Sequence, residues 1–289
     1  MAEQVFLNGE LVAADEAAVG VFDAAFQHGV GLFEVLRSYA GRVFRLTQHV
    51  ERLKESAAAL GMVVDMDAAG FADAIDKLLR ANDLTDARVR ITVTGGSVRV
   101  GIHQGAQSKP TMLITAGPAQ TPPPECYAQG VGALLSAYRL SPTDPIARHQ
   151  TISYLPRLMA LRAAQHAHLA EAIWFTDEGY LAGGSMSNVF LIRDDVLLTP
   201  ALDLPILPGI TRRVVIELAK ELQFPLREGK FSMEETLAAG EIFLTNCVIE
   251  LLPVVALERH RVGDGKVGTL TRTLLQKYRR RVREELNLP

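Results

Sequence analysis

Read for its apolar positions, the chain opens on two short alternating runs. Val5-Phe6-Leu7 and Leu11-Val12-Ala13 flank Asn8-Gly9. That pair predicts a tight hairpin, because both central residues of such a turn need positive φ. Phe33 to Tyr39 and Arg42 to Leu46 predict a second hairpin around Ala40-Gly41. From Thr47 the period lengthens. Val50, Leu53, Ala57 and Leu60 recur at helical spacing, and Gly61 supplies a stop. A further helix is predicted through Phe71, Ile75 and Leu78. Val89, Ile91 and Val93 alternate with Arg90, Thr92 and Thr94 as a half-buried strand does, and Thr111 to Ala116 predicts another strand.

The stretch Gly117-Pro118-Ala119-Gln120-Thr121-Pro122-Pro123-Pro124 then breaks the pattern. Consecutive prolines cannot donate ladder hydrogen bonds, and each restricts the residue before it. We place an N-terminal α/β domain at 1–117, a Pro-rich linker at 118–124 and a C-terminal domain at 125–289. A long surface loop inside one domain is the alternative; the restart of the element pattern favours a boundary. In the second part Tyr154 to Ala167 is helical in composition, and Ala172 to Thr176, Val189 to Arg193 and Val196 to Thr199 predict strands. Leu207-Pro208-Gly209-Ile210-Thr211 leads into a helix with Val214, Val215, Leu218 and Leu222 on one face. Ser232 with Glu235 forms a capping box ahead of a strand from Glu241 to Thr245. Leu270, Leu274, Tyr278 and Val282 recur every fourth residue on a last helix.

Composition narrows the function classes. The chain has 289 residues, 48% hydrophobic and 22% charged, which fits a globular protein of one or two domains. Thirty Lys+Arg against thirty-three Asp+Glu gives a formal charge of −3, so there is no overall attraction for nucleic acid or an anionic membrane. Arg279-Arg280-Arg281 is followed directly by Glu284 and Glu285, the pattern of a solvated helix face rather than a nucleic-acid patch. No apolar run approaches the roughly 18 residues needed to span a bilayer. The start carries early acids rather than a basic and then apolar leader, and Cys126 and Cys247 suggest neither a disulfide framework nor a metal cluster. These features point to a cytoplasmic protein.

The motifs with generic chemistry are few. Gly29-Val30-Gly31 lacks the third glycine of a dinucleotide loop, and His166 and His168 point in different directions on a helix. No Gly-x-Ser-x-Gly elbow is present. A helix starting after Gly209 would offer unpaired amides and the positive end of its dipole, which suits a phosphate; an ordinary capped helix start is the plainer reading of that segment alone. Asn188 and Thr245-Asn246 are polar points at the edges of apolar strands.

Taken in order, these segments resemble one family. The chain is similar to the fold-type IV pyridoxal-phosphate enzymes, which include branched-chain and D-amino-acid aminotransferases and aminodeoxychorismate lyase. The resemblance rests on the Asn8-Gly9 hairpin, the run from Asp23 to Glu34, and His49-Val50-Glu51-Arg52-Leu53 with Ser56. It continues through Arg148-His149-Gln150-Thr151-Ile152-Ser153-Tyr154-Leu155-Pro156, Gly183-Gly184-Ser185-Met186-Ser187-Asn188-Val189-Phe190 and Leu207 to Arg212. Thr245 to Val254 and Gly268 to Thr271 complete it. The resemblance implies a two-domain α/β architecture, with a smaller N-terminal α/β domain and a larger C-terminal mixed-sheet domain. It also implies a homodimer and a small-molecule amino acid, or another phosphate or anion, as ligand.

What the resemblance implies for individual residues is mixed. The family needs a lysine that forms a Schiff base with the cofactor, and here that position is Gln150. A carboxamide cannot form an imine. The glutamate that would pair with the pyridine nitrogen is replaced by Gly183, and a threonine used for phosphate contact aligns with Cys247. Arg52, Gly209, Ile210 and Thr211 match phosphate contacts, with Ser187 and Asn188 on the cofactor side and Tyr154 near its phenolic oxygen. By spacing alone Arg52 is a surface arginine beside Glu55; only the resemblance raises it. Phe33, Arg99 and His103 are the substrate-side candidates. The expectation is a class IV aminotransferase-like protein with lost or altered Schiff-base chemistry, holding pyridoxal phosphate non-covalently if it binds. An active transaminase or lyase with an unusual site, and a cofactor-independent anion-binding homologue, are the alternatives.

Overall fold

A computed structural model describes residues 3–98 and 109–289, so Arg99 and His103 lie outside the described residues. The chain divides into two compact units. The first comprises Met1–Gln120 with His149–Ser153 and Glu285–Leu288; the second comprises Thr121–Arg148 and Tyr154–Glu284 with Pro289.

In the first unit the chain runs β1 (Gln4–Leu7), β2 (Glu10–Ala13), α1 (Ala24–His28), β3 (Gly31–Tyr39), β4 (Arg42–Val43), α2 (Leu46–Ala59), α3 (Ala68–Ala81), β5 (Ala87–Thr94) and β6 (Met112–Pro118). The strands form an antiparallel sheet of order β2-β1-β6-β5-β3-β4. Asn8 and Gly9 take φ 51° and 107°, the turn geometry their identities predict. The second hairpin is shorter than its apolar pattern suggests. Its return strand is only Arg42–Val43, because Arg45 at φ 55° turns the chain straight into α2. Val50 and Leu53 of α2 and Phe71, Ile75 and Leu78 of α3 bury against Leu36, Val89 and Ile91 of the sheet.

The second unit runs α4 (Pro124–Gln129), β7 (Val131–Leu140), α5 (Leu155–His166), β8 (Glu171–Thr176), β9 (Leu181–Gly184), β10 (Asn188–Arg193), β11 (Val196–Pro200), α6 (Ile210–Glu221), β12 (Leu226–Gly229), α7 (Met233–Leu237), β13 (Glu241–Asn246), β14 (Glu250–Leu257), β15 (His260–Arg261) and α8 (Thr269–Glu285). Its nine-stranded mixed sheet has the order β12-β11-β10-β13-β14-β7-β8-β9, with β15 on β14. β8 is buried at every position, as a strand covered on both faces should be.

Some elements escape the sequence pattern. β9 contains Gly183 and Gly184, which carry no side chain to show an alternation. Pro124 is not linker but the first residue of α4, a position where a missing N–H costs nothing. Leu222 caps α6 and is 39% exposed, so it does not share the buried face of Val214, Val215 and Leu218.

Candidate functional site

In the first unit the polar centre is built on β3 and α2. Glu34 occupies an otherwise apolar strand and is 1% exposed. Its burial is compensated by two residues three apart on α2, which share one helix face. Arg52 donates from Nε to Glu34 Oε1 at 2.8 Å and from Nη2 to Oε2 at 2.6 Å. His49 Nδ1 lies 2.7 Å from the same Oε2. Burial alone would raise the Glu34 carboxyl, but the Arg52 guanidinium and His49 outweigh it and hold the carboxyl below its ordinary range. Arg52 is therefore not a surface arginine; it is 6% exposed.

Residues 149–153 lie along β3. Phe33 N–H donates to the Gln150 carbonyl at 2.8 Å, Ile152 N–H donates to Gly31 O at 3.0 Å, and Leu32 bridges Thr151. Gly31 is required for this approach, because a Cβ there would stand 2.8 Å from Ile152 Cδ1 and 2.9 Å from Val93 O. With its backbone so fixed, Gln150 accepts from Arg52 Nη2 through Oε1 at 3.1 Å. His149 Nδ1 and Ser56 Oγ lie 3.0 Å apart beside it. Phe33 is buried, with the Arg90 guanidinium 3.7 Å from its ring centroid.

The second unit holds a separate cluster around the turn from Gly184 to Ser187. Glu171, 4% exposed, accepts from Ala172 N at 2.9 Å and Ser185 N at 3.1 Å, and from Met186 N at 3.2 Å and Ser187 Oγ at 3.0 Å. Tyr154 donates its hydroxyl to Ser185 O at 2.7 Å, and Trp174 Nε1 donates to Ser185 Oγ at 3.0 Å. Arg157 reaches Gly184 O at 3.1 Å. Gly183 enters this turn along β9, and a Cβ on it would meet Ser187 O at 3.0 Å. Further along, Asn188 donates from Nδ2 to Leu207 O at 2.9 Å, just before α6. A Cβ on Gly209 would fall 2.0 Å from Asn188 Oδ1, so any other residue at that N-cap would displace the Asn188 side chain. Ile210 and Thr211, the first two residues of α6, are buried, and Cys247 lies half-buried between β13 and β14.

The first unit thus gathers Arg52 with Gln150, and the second gathers Tyr154, Gly183 and Ser187, and separately Asn188 with Gly209. Sequence reasoning gave no role to Glu34, His49 or Glu171. A lone carboxylate inside an apolar strand run, as in Leu32-Phe33-Glu34-Val35-Leu36 or Glu171-Ala172-Ile173-Trp174, is the signal that would have found the two acids. Among the described residues no group of three or more His, Cys, Asp or Glu side chains is placed to hold a metal ion, and no helix is long and apolar enough to cross a membrane.

Glu171 gives a pH test of the second cluster. Burial pushes its carboxyl up, and its four uncharged donors recover only part of that cost. A carboxyl raised in the folded state holds its proton better there than in the unfolded chain. Its contribution to stability is therefore full below the ordinary value of 4.5 and falls as pH rises through the raised value. Glu171→Gln should remove this fall while loosening the turn by about 1–3 kcal/mol at neutral pH, because an amide N–H then faces the Met186 donor. Amide hydrogen exchange of residues 184–187 across a pH series reads both effects. An unchanged pH slope in the variant would assign the titration to another group.

The sequence and the architecture match known proteins. Residues 31–257 match the family model described as amino-transferase class IV. A putative branched-chain-amino-acid aminotransferase of Methanocaldococcus jannaschii is 33% identical, covering 96% of this chain and 95% of its own. The aminodeoxychorismate lyase of Bacillus subtilis is 32% identical, covering 98% and 96%. Among solved structures, the branched-chain amino acid aminotransferase of Escherichia coli superposes with a TM-score of 0.91 at 30% identity, covering 98% of this chain and 95% of that one. The chain belongs to the class IV amino-transferases and has the fold-type IV architecture.

Proposed function

We propose that this class IV amino-transferase binds a phosphate monoester of the pyridoxal phosphate type without covalent attachment, and that ordinary transamination is lost or altered. One observation carries the reading. At the position where the family resemblance calls for a Schiff-base lysine stands Gln150, whose carboxamide oxygen accepts from Arg52 at 3.1 Å. An amide nitrogen is neither nucleophilic nor basic near neutral pH, so it can neither form an imine nor shuttle a proton.

The residues present divide in their fit to the cofactor. The imine position lacks an amine, and Gly183 offers the pyridine nitrogen no acceptor side chain, so these residues do not fit the cofactor's reacting end. The phosphate contacts implied by the resemblance fare better. Arg52 is held as a cation by Glu34 in the first unit. In the second, the Ile210 and Thr211 amides open a helix whose N-cap supplies no side-chain acceptor.

The test is a visible absorption spectrum of the purified protein with added pyridoxal phosphate, before and after borohydride, with mass spectrometry of the product. The expected result is binding without a fixed label on any lysine. A label on one lysine would mean that another amine has taken over and that the chain is an active enzyme with an unusual site.

A further inference from the structure

The fold leaves one buried side-chain hydroxyl of the second unit without a partner. Thr245, on β13, is 1% exposed, and its Oγ1 is buried with no hydrogen bond. Buried hydroxyls in native proteins nearly always find a partner, so an orphan asks what it was kept for. The unit's other buried unpaired side-chain atom, Arg212 Nε, belongs to a guanidinium already turned to Pro200 O and Glu228.

The register says where the Thr245 hydroxyl faces. Thr245 lies directly opposite Asn188 in the antiparallel pair of β13 and β10, and directly paired residues share a sheet face. Asn188 spends that face on the entry to α6. Its Nδ2 holds Leu207 O, and its Oδ1 fills the space that a Cβ on Gly209 would need. Phe190 and Phe243, two residues inward on the same two strands and so on the same face, stack with centroids 5.0 Å apart. Thr245 thus faces the side of the sheet on which α6 begins. There the Ile210 and Thr211 amides make no hydrogen bond among the described residues, and Gly209 adds no capping side chain. Unpaired amides at a helix start and a buried unpaired hydroxyl on the same side of the sheet suit an oxyanion.

We infer that Thr245 is a ligand-binding residue, donating its hydroxyl to an oxygen of the phosphate monoester received at the start of α6. The inference rests on the phosphate-ester reading above and adds a donor to it. The hydroxyl then takes over part of a role that Cys247, in the turn just after it, is poorly equipped to fill, since a thiol is a weak donor.

The test uses inorganic phosphate as the probe and the full chain, comparing wild type with Thr245→Val and Thr245→Ser by calorimetric titration and thermal melting. Valine keeps the shape and removes only the hydroxyl, so without phosphate the variant should melt at or above the wild-type temperature. Its phosphate dissociation constant should rise roughly tenfold, the usual loss for a hydrogen bond to a charged group, while the serine variant stays near wild type. Unchanged affinity in the valine variant, with wild type binding, overturns this inference alone. A lower phosphate-free melting temperature in that variant also overturns it, because the hydroxyl would then have a structural partner. No phosphate binding by wild type overturns the inference together with the phosphate-ester reading.

Discussion

Arg52→Leu is expected to destabilise the first unit by about 3–5 kcal/mol, because it strands a buried carboxylate without its cation. Glu34 is 1% exposed and receives two charge-assisted bonds from Arg52, so His49 alone would be left to compensate it. The companion variant decides the cause. Glu34→Leu combined with Arg52→Leu removes both charges from an apolar strand and helix face, and should be less destabilised than Arg52→Leu alone. A chain of two units need not unfold in one step, so the reading should be local, through hydrogen exchange of β3 and α2 amides. The pH dependence has a fixed sign. The Glu34 carboxyl is depressed in the folded state, so its contribution is present above the ordinary value of 4.5 and is lost as pH falls through the depressed value. Arg52→Leu should shrink that acid-side loss, with His49 left as the remaining cause of the lowering. A single variant as stable as the double would show that Arg52 does not compensate Glu34, and would remove the physical reason for its fixed position.

Local elements were legible because their signals are local. The Asn8-Gly9 turn, the Val50-Leu53-Ala57 stripe and the Ser232–Glu235 capping box each depend on neighbours within a few residues, and each is present. The polar clusters were harder to read because their partners are far apart in the chain. Arg52 looks solvent-facing by its helix spacing; only Glu34, eighteen residues earlier, and Gln150, ninety-eight later, explain its burial. Residues 149–153 return to the first unit through single hydrogen bonds to β3, and no pattern within that segment signals this. Likewise β9 was hidden by its glycines, and the unpaired state of Thr245 is a property of the assembled sheet. The family resemblance gave roles to Gln150, Gly183 and Arg52; Glu34 and Thr245 lay in its matched segments without a role, and Glu171 lay outside them. Arg99 and His103 fall outside the described residues and gain no structural support.

Gln150→Lys with Gly183→Glu should convert the non-labelling protein proposed above into one carrying one pyridoxal phosphate label per chain after borohydride. The lysine is the larger part of the effect. Its ammonium would stand where the Gln150 oxygen now accepts from Arg52, and the neighbouring guanidinium favours the neutral amine, the form that attacks an aldehyde. By the family resemblance, Gly183→Glu would give the pyridine nitrogen an acceptor, and it is the tighter change. A Cβ there meets the Ser187 carbonyl at 3.0 Å, so that carbonyl must give by a few tenths of an ångström. The turn is anchored by Glu171 through Ser185, Met186 and Ser187, which opposes such a shift. Gln150→Lys alone should therefore fix label with a weaker visible band, and the double variant should strengthen the band if the turn yields. Gly183→Glu alone should fix none. If the double variant binds inorganic phosphate like wild type yet takes no label, the site beyond its phosphate end no longer suits the cofactor ring. The divergence would then extend past the two residues that announce it in the sequence.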